Sequence, residues 1–224
     1  KAGCHVLSDK PWILTPDRLP QLKAVLDEAD QKQLIAYDIM TERYEITSIL
    51  QKEMVQDEGV FGQIAAGTPE SPAVYMESIH FLKKQVAGVP LRRPPWFFDV
   101  HQQGEALSDV GTHLVDLGMW TLFPHQPIAE NDYRVHQAKR WPTDVSRTDF
   151  QAITGEADFP IYLHHQCQGD KLPYFCNTQV QYELKGNHVK LDVLWGFEAV
   201  PGAGDTHLAV YQGTRSKVEV RQGK

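Results

Sequence analysis

From Thr178 to Trp195 the chain changes character at almost every residue. Thr178, Val180, Tyr182 and Leu184 take one phase, and Gln179, Gln181 and Glu183 take the other. After Lys185-Gly186-Asn187 the pattern resumes, with Val189, Leu191, Val193 and Trp195 against His188, Lys190 and Asp192. Successive side chains of an extended chain point to opposite faces, so a period of two predicts strands. The glycine-containing break makes the pair a hairpin. A single apolar phase predicts an antiparallel sheet packed on one side. Residues 208–211, a Gly213-Thr214 turn and residues 218–220 predict another hairpin. Ala73 to Leu82 reads as a further strand, and residues 59–64 as the start of this sheet.

Residues 104–120 have a different period. Leu107, Val110, Leu114 and Leu117 recur at the spacing of a helical stripe. At 3.6 residues per turn Asp109, His113 and Asp116 fall on a second face, with Val115, Met119 and Trp120 partly outside the stripe. The spacing therefore predicts one helix, buried on most sides. A carboxylate and an imidazole one turn apart on a buried helix need partners. An Asp109–His113 hydrogen bond that only supports the core satisfies that need, so the spacing alone assigns no chemistry.

The opening residues predict a strand, a helix and a second strand. His5-Val6-Leu7-Ser8 leads into Asp9-Lys10-Pro11. Thr15-Pro16-Asp17 supplies an N-cap, a first-turn proline and a first-turn acid, and Leu19, Leu22 and Leu26 carry one face. Leu34-Ile35-Ala36-Tyr37 reads as a buried strand. Thr41 caps a second helix with Ile46, Ile49, Leu50 and Met54 on its apolar side, and residues 146–151 read as a short helix or turn.

Two of these segments together resemble a known family. Trp96-Phe97-Phe98-Asp99, then Gly104 through Asp109 to His113 and Asp116, is similar to a helix of the glucose–fructose oxidoreductase and inositol dehydrogenase family, which carries Asp-x-x-x-His followed by x-x-Asp. Ala2-Gly3-Cys4-His5-Val6-Leu7-Ser8-Asp9-Lys10-Pro11 resembles the family's Gly-x-His-Val-x-x-Glu-Lys-Pro. Asp9 stands where the family has glutamate. Gln102-Gln103-Gly104 replaces a run of glycines, which leaves the backbone less free to approach a ligand.

The resemblance implies an α+β fold of the α/β family: an open, predominantly antiparallel sheet covered by helices on one face, plus a remnant of a Rossmann domain. It divides the chain into residues 1–40, the remnant, and residues 41–224, a substrate-binding, catalytic and oligomerisation domain. No Gly-x-Gly-x-x-Gly occurs in the chain. The dinucleotide fingerprint is therefore expected upstream of Lys1, and the chain alone is expected to be inactive. The implied reaction is hydride transfer between NAD or NADP and a carbon bearing a hydroxyl, in a sugar, polyol or related compound. Lys10, Asp109 and His113 are the implied catalytic residues: Lys10 polarises the substrate oxygen, His113 is the general base, and Asp109 orients substrate and holds His113's charge. Asp116 is expected to fix the helix. Asp9, Lys10 and Pro11 face the cofactor, and the Lys-Pro bond is expected to be cis. Arg92 and Arg93, in the basic connector before Trp96, are candidates with Trp96 for holding a substrate phosphate or carboxylate. The same residues would serve relatives that oxidise transiently to break a glycosidic bond. An inactive oligomerisation module is the remaining alternative.

Charge and composition exclude other classes. With 22 basic and 29 acidic residues the net charge is −7, which disfavours nucleic acid and anionic membranes as partners. No run approaches the roughly 20 apolar residues of a membrane span. A cytoplasmic location is the default, with the periplasm open. Cys4, Cys167 and Cys176 show no zinc spacing, and reduced thiols are expected. His164 and His165, adjacent on an expected strand, would point apart, so no metal is assigned and the ten histidines are not read as a cluster.

Overall fold

The computed structural model describes residues 3–223; Ala2, where the Lys-Pro motif begins, lies outside them. In chain order the elements are β1 (Val6–Ser8), α1 (Leu19–Gln31), β2 (Ala36–Asp38), α2 (Ile46–Gln56), β3 (Val74–Lys83), a short hairpin of β4 (Gln85–Val86) and β5 (Val89–Pro90), α3 (Val100–Gln103), α4 (Thr112–Leu122), β6 (Tyr133–Ser146), α5 (Arg147–Thr154), β7 (Lys171–Leu184), β8 (Asn187–Glu198), β9 (Thr206–Gln212) and β10 (Lys217–Gln222).

The main sheet has the order β10-β9-β3-β8-β7-β6. Only β3 and β8 run parallel; the other neighbours are antiparallel. It is the open, mostly antiparallel sheet the alternating sequence predicts. The β7–β8 turn follows from local chemistry. Leu184 pairs with Asn187, and Lys185 and Gly186 both take positive φ, 49° and 83°. That two-residue turn matches the twist of the strands it joins.

Helices cover one face. Gly118 lets α4 lie close to β3: a Cβ there would come 3.2 Å from Met76 Cε. The Gln51 side chain of α2 donates to Ala209 O on β9 at 2.9 Å. Ser146 and Asp149 cap α5 reciprocally, which makes residues 147–154 a helix. Phe98, Phe150, Phe159 and Tyr174 fill the core beneath it. Among the described residues no helix is long and apolar enough to cross a membrane.

Several expectations need correction. Residues 59–64 form a turn, and only Ile64 bridges Gly213. The long strand β6 was not legible: it is a charged edge strand, largely exposed, so burial imposes no alternation on it. In α2 the inward residues are Gln51 and Val55, while Ile46, Leu50 and Met54 are exposed. Leu107 of the expected stripe is exposed too.

The parallel pair β1–β2, crossed over by α1, forms its own two-stranded sheet. Val6, Leu7, Ile35 and Tyr37 are 47%, 67%, 58% and 48% exposed. The reading of residues 34–37 as a buried strand fails for that reason. A parallel strand is buried only where neighbouring strands and helices cover it. In α1 no residue is buried; Leu22 and Leu26 are half-buried and Leu19 is exposed.

Candidate functional site

Gly104, at φ +81°, ends α3 and turns the chain toward α4. The first turn, Leu107–Gly111, is a π turn, and α4 continues from Thr112. A π turn is wider than an α turn, and among the described residues no hydrogen bond or ion pair joins Asp109 to His113. Asp109, buried in this turn, forms an ion pair with Lys10 Nζ. His113 Nδ1 lies 2.6 Å from Glu42 Oε2, off the line of a ring N–H, so the two groups touch without an aligned hydrogen bond. The expected Asp109–His113 contact is thus replaced: Glu42 is the carboxylate beside His113.

Glu42 and Arg43 sit on one 3₁₀ turn, Thr41–Tyr44. Arg43 grips Asp116 with two nitrogens, Nε at 2.6 Å. Asp116 therefore fixes the helix, as the sequence suggested. Burial pushes the Glu42 carboxyl up, but His113, its own backbone and Thr41 outweigh burial and hold it below the usual value.

Lys10, Asp109 and His113 converge on one open cavity of about 640 Å³. Its far wall comes from β3, β8 and the loop before β9. Ser78 Oγ lies 2.7 Å from His80 Nε2, and His80 Nδ1 lies 2.9 Å from Asp205 Oδ2. Lys84 also pairs with Asp205. Burial raises the Asp205 carboxyl, but His80 and Lys84 outweigh it and bring it down to about 2. His80 stacks on Trp195 at 4.9 Å. Trp195 Nε1 and Asp205 Oδ1 are buried without a hydrogen-bond partner among the described residues. Burial, then His80, holds the His207 imidazole below its usual value. Ser78 and His80 were missed in the sequence. Their signal was two polar residues in the inward phase of β3, in line with Val74, Met76 and Leu82.

The other candidates are spread more widely. Arg93 lines the cavity, yet its Nε and Nη2 donate to the carbonyls of Leu82 and Phe81, both at 3.1 Å. Its guanidinium lies 4.3 Å from the Phe97 ring and 5.0 Å from that of Trp195. Arg92 and Trp96 are exposed and stand outside the lining. The Lys10-Pro11 bond is cis. Asp9 is exposed, and its Oδ1 accepts from Lys10 N–H at 2.8 Å. Lys10 and Pro11 also line a second cavity of about 690 Å³, between the β1–α1–β2 unit and α4. There Trp12 Nε1 is buried without a partner among the described residues. Cys167 and Cys176 are reduced thiols. His164 and His165 lie on a 3₁₀ turn, not a strand; His164 Nε2 is 2.9 Å from Phe159 O, and His165 stacks on His101.

Residues 50–224 match the family described as "Putative oxidoreductase C terminal domain". The chain belongs to this family. The family's description, like the resemblance in the sequence, is that of an oxidoreductase. A crystal structure of a putative oxidoreductase from Parabacteroides merdae is similar at 41% identity and a TM-score of 0.93, over 98% of this chain and 50% of that one. A putative myo-inositol dehydrogenase from Sinorhizobium meliloti shares the fold at 15% identity and a TM-score of 0.57, over 96% and 50%. The WlbA dehydrogenase from Bordetella pertussis, solved with NADH and UDP-GlcNAcA, shares it at 16% identity and 0.54, over 99% and 53%. The chain thus spans about half the length of these structures. No curated protein matches the chain.

Proposed function

We propose that residues 41–224 form the substrate-binding and catalytic domain of a nicotinamide-dependent oxidoreductase, and that residues 1–40 belong to its dinucleotide-binding domain. The substrate is a sugar, polyol or related hydroxy compound. The observation that carries the reading is the meeting of Lys10, Asp109 and His113 at one cavity, although 99 residues separate the first two. Lysine, imidazole and carboxylate around one open cavity suit removal of a proton from an alcohol.

When bound, the nicotinamide supplies the hydride acceptor. Two features favour its binding beside Lys10. Asp9, Lys10 and Pro11 follow the carboxyl end of a parallel strand, where open α/β sheets take ligands. Trp12, whose Nε1 is buried without a partner among the described residues, lines the adjoining cavity. The chain lacks a glycine-rich phosphate loop, so these residues account for the nicotinamide end alone.

His113 takes the hydroxyl proton as general base, with Glu42 stabilising the charged ring. Lys10, held by Asp109, polarises the substrate oxygen. Arg93, Trp195 Nε1 and Asp205 Oδ1 hold the substrate from the far wall. The unpaired donor and acceptor there favour a hydroxylated ligand, because buried polar groups seek partners.

The test is to incubate the holoenzyme with NAD or NADP and a panel of sugars, polyols and sugar acids. Reduced nicotinamide should accumulate with at least one, and His113→Asn should slow its formation by roughly 10²–10⁴. Sugar release without net reduction would instead assign glycosidic cleavage. Failure to bind either nucleotide would overturn the proposal.

A further inference from the structure

On the outer face of the sheet, away from both cavities, three strands bring together two imidazoles and a carboxylate. His136 comes from β6, Glu183 from β7 and His188 from β8. Two of the ten histidines therefore do cluster. His136 Nε2 is 2.7 Å and His188 Nε2 is 3.6 Å from the same oxygen, Glu183 Oε1, and the ligand atoms of the three residues all lie within 4.8 Å of one another. The two rings stack at 5.4 Å and 24°.

The backbone explains the convergence. Glu183 and His188 are direct cross-strand partners beside the tight Lys185-Gly186 turn, so their side chains are held on one face. His136 is the extra residue of a β-bulge, between Val135, which pairs with Tyr182, and Gln137, which pairs with Gln181. A bulge re-aims a side chain, and here the ring reaches Glu183. In both histidines Nε2 faces the shared oxygen.

We propose that His136, Glu183 and His188 bind one divalent transition-metal ion of the zinc type. Zinc bonds of about 2.0–2.1 Å set tetrahedral ligands roughly 3.3 Å apart, close to the 3.6 Å already present between His188 and Glu183. Two imidazoles and one carboxylate suit zinc, cobalt or nickel, and offer too few oxygens for calcium or magnesium. Three protein ligands leave the fourth position open. The ion would tie the edge strand β6 to β7 and β8 and stabilise the sheet. The site shares no residue with either cavity, so it stands independently of the proposed reaction.

The experiment titrates chelator-treated protein with zinc chloride by calorimetry, and with cobalt by visible absorption. One ion per chain should bind. The melting temperature should rise with zinc and not with magnesium. Glu183→Gln and His136→Ala should each weaken zinc binding at least about ten-fold and remove the cobalt band, while His165→Ala leaves both unchanged. Absence of saturable zinc binding would overturn the proposal, as would undiminished binding in a folded His136→Ala/Glu183→Gln protein. Should Glu183→Gln fail to fold by circular dichroism, His136→Ala on the exposed edge strand decides alone: loss supports the site and retention overturns it.

Discussion

Lys10 Nζ pairs with Asp109 Oδ1 across 99 residues of chain, joining the turn after β1 to the π turn before α4. The side chains of Lys10 and Asp109 are only 16% and 9% exposed. Removing one partner of such a pair strands the other's charge away from water, at a cost of about 3 kcal/mol. Lys10→Met should therefore lower stability by about that much in urea unfolding, and Lys10→Met/Asp109→Leu should recover part of it. A double variant no more stable than the single would show that the pair is not coupled.

The general-base assignment predicts unequal losses in the holoenzyme. His113→Asn should lower turnover by roughly 10²–10⁴ while nucleotide affinity is kept, because a positioned base is worth that much. Glu42→Gln keeps the base and removes the carboxylate beside it, so a smaller loss is expected. Turnover of His113→Asn within a few-fold of the parent would return this helix to a purely structural role.

Asp205 gives an acid limit to stability. Its carboxyl falls from 3.8 to about 2 in the folded protein. A depressed carboxylate stabilises the fold above its unfolded value, and the contribution disappears as pH falls from about 4 toward 2. With the side chain 29% exposed, solvent screening reduces the contribution to about 1–2 kcal/mol. Urea midpoints measured from neutral pH down to the acid limit should show the parent losing this increment in that window. Asp205→Asn should lack the increment at neutral pH; a variant with an unchanged profile would rule the linkage out.

Close approach of α4 to β3 predicts the effect of bulk at Gly118. Alanine meets the mobile end of Met76 at 3.2 Å and Tyr182 Oη at an ordinary 3.9 Å, and should be tolerated. Gly118→Leu must push the helix away, at about 1–3 kcal/mol. Thermal melting of the two variants separates them, and equal melting temperatures would mean the helix is less tightly seated than described.

The sequence by itself determined the repeating parts. Alternation from Thr178 to Trp195 sufficed for β7 and β8, because a period of two on a half-buried surface has one regular solution. Apolar spacing sufficed for α4, and the order of the Lys-Pro and Asp-x-x-x-His motifs pointed to the residues that meet at the cavity. Tertiary structure decided the rest. Edge strand β6 carries no burial signal, so only its pairing with β7 reveals it. A π turn breaks the period that put Asp109 over His113 and hands those two side chains to Lys10 and Glu42. Glu42, Asp205 and His136 find their partners far along the chain, at His113, His80 and Glu183. Local periodicity reports which face of an element is buried. Which distant charge waits on that face is set by the packing of whole elements, and no local pattern carries that information.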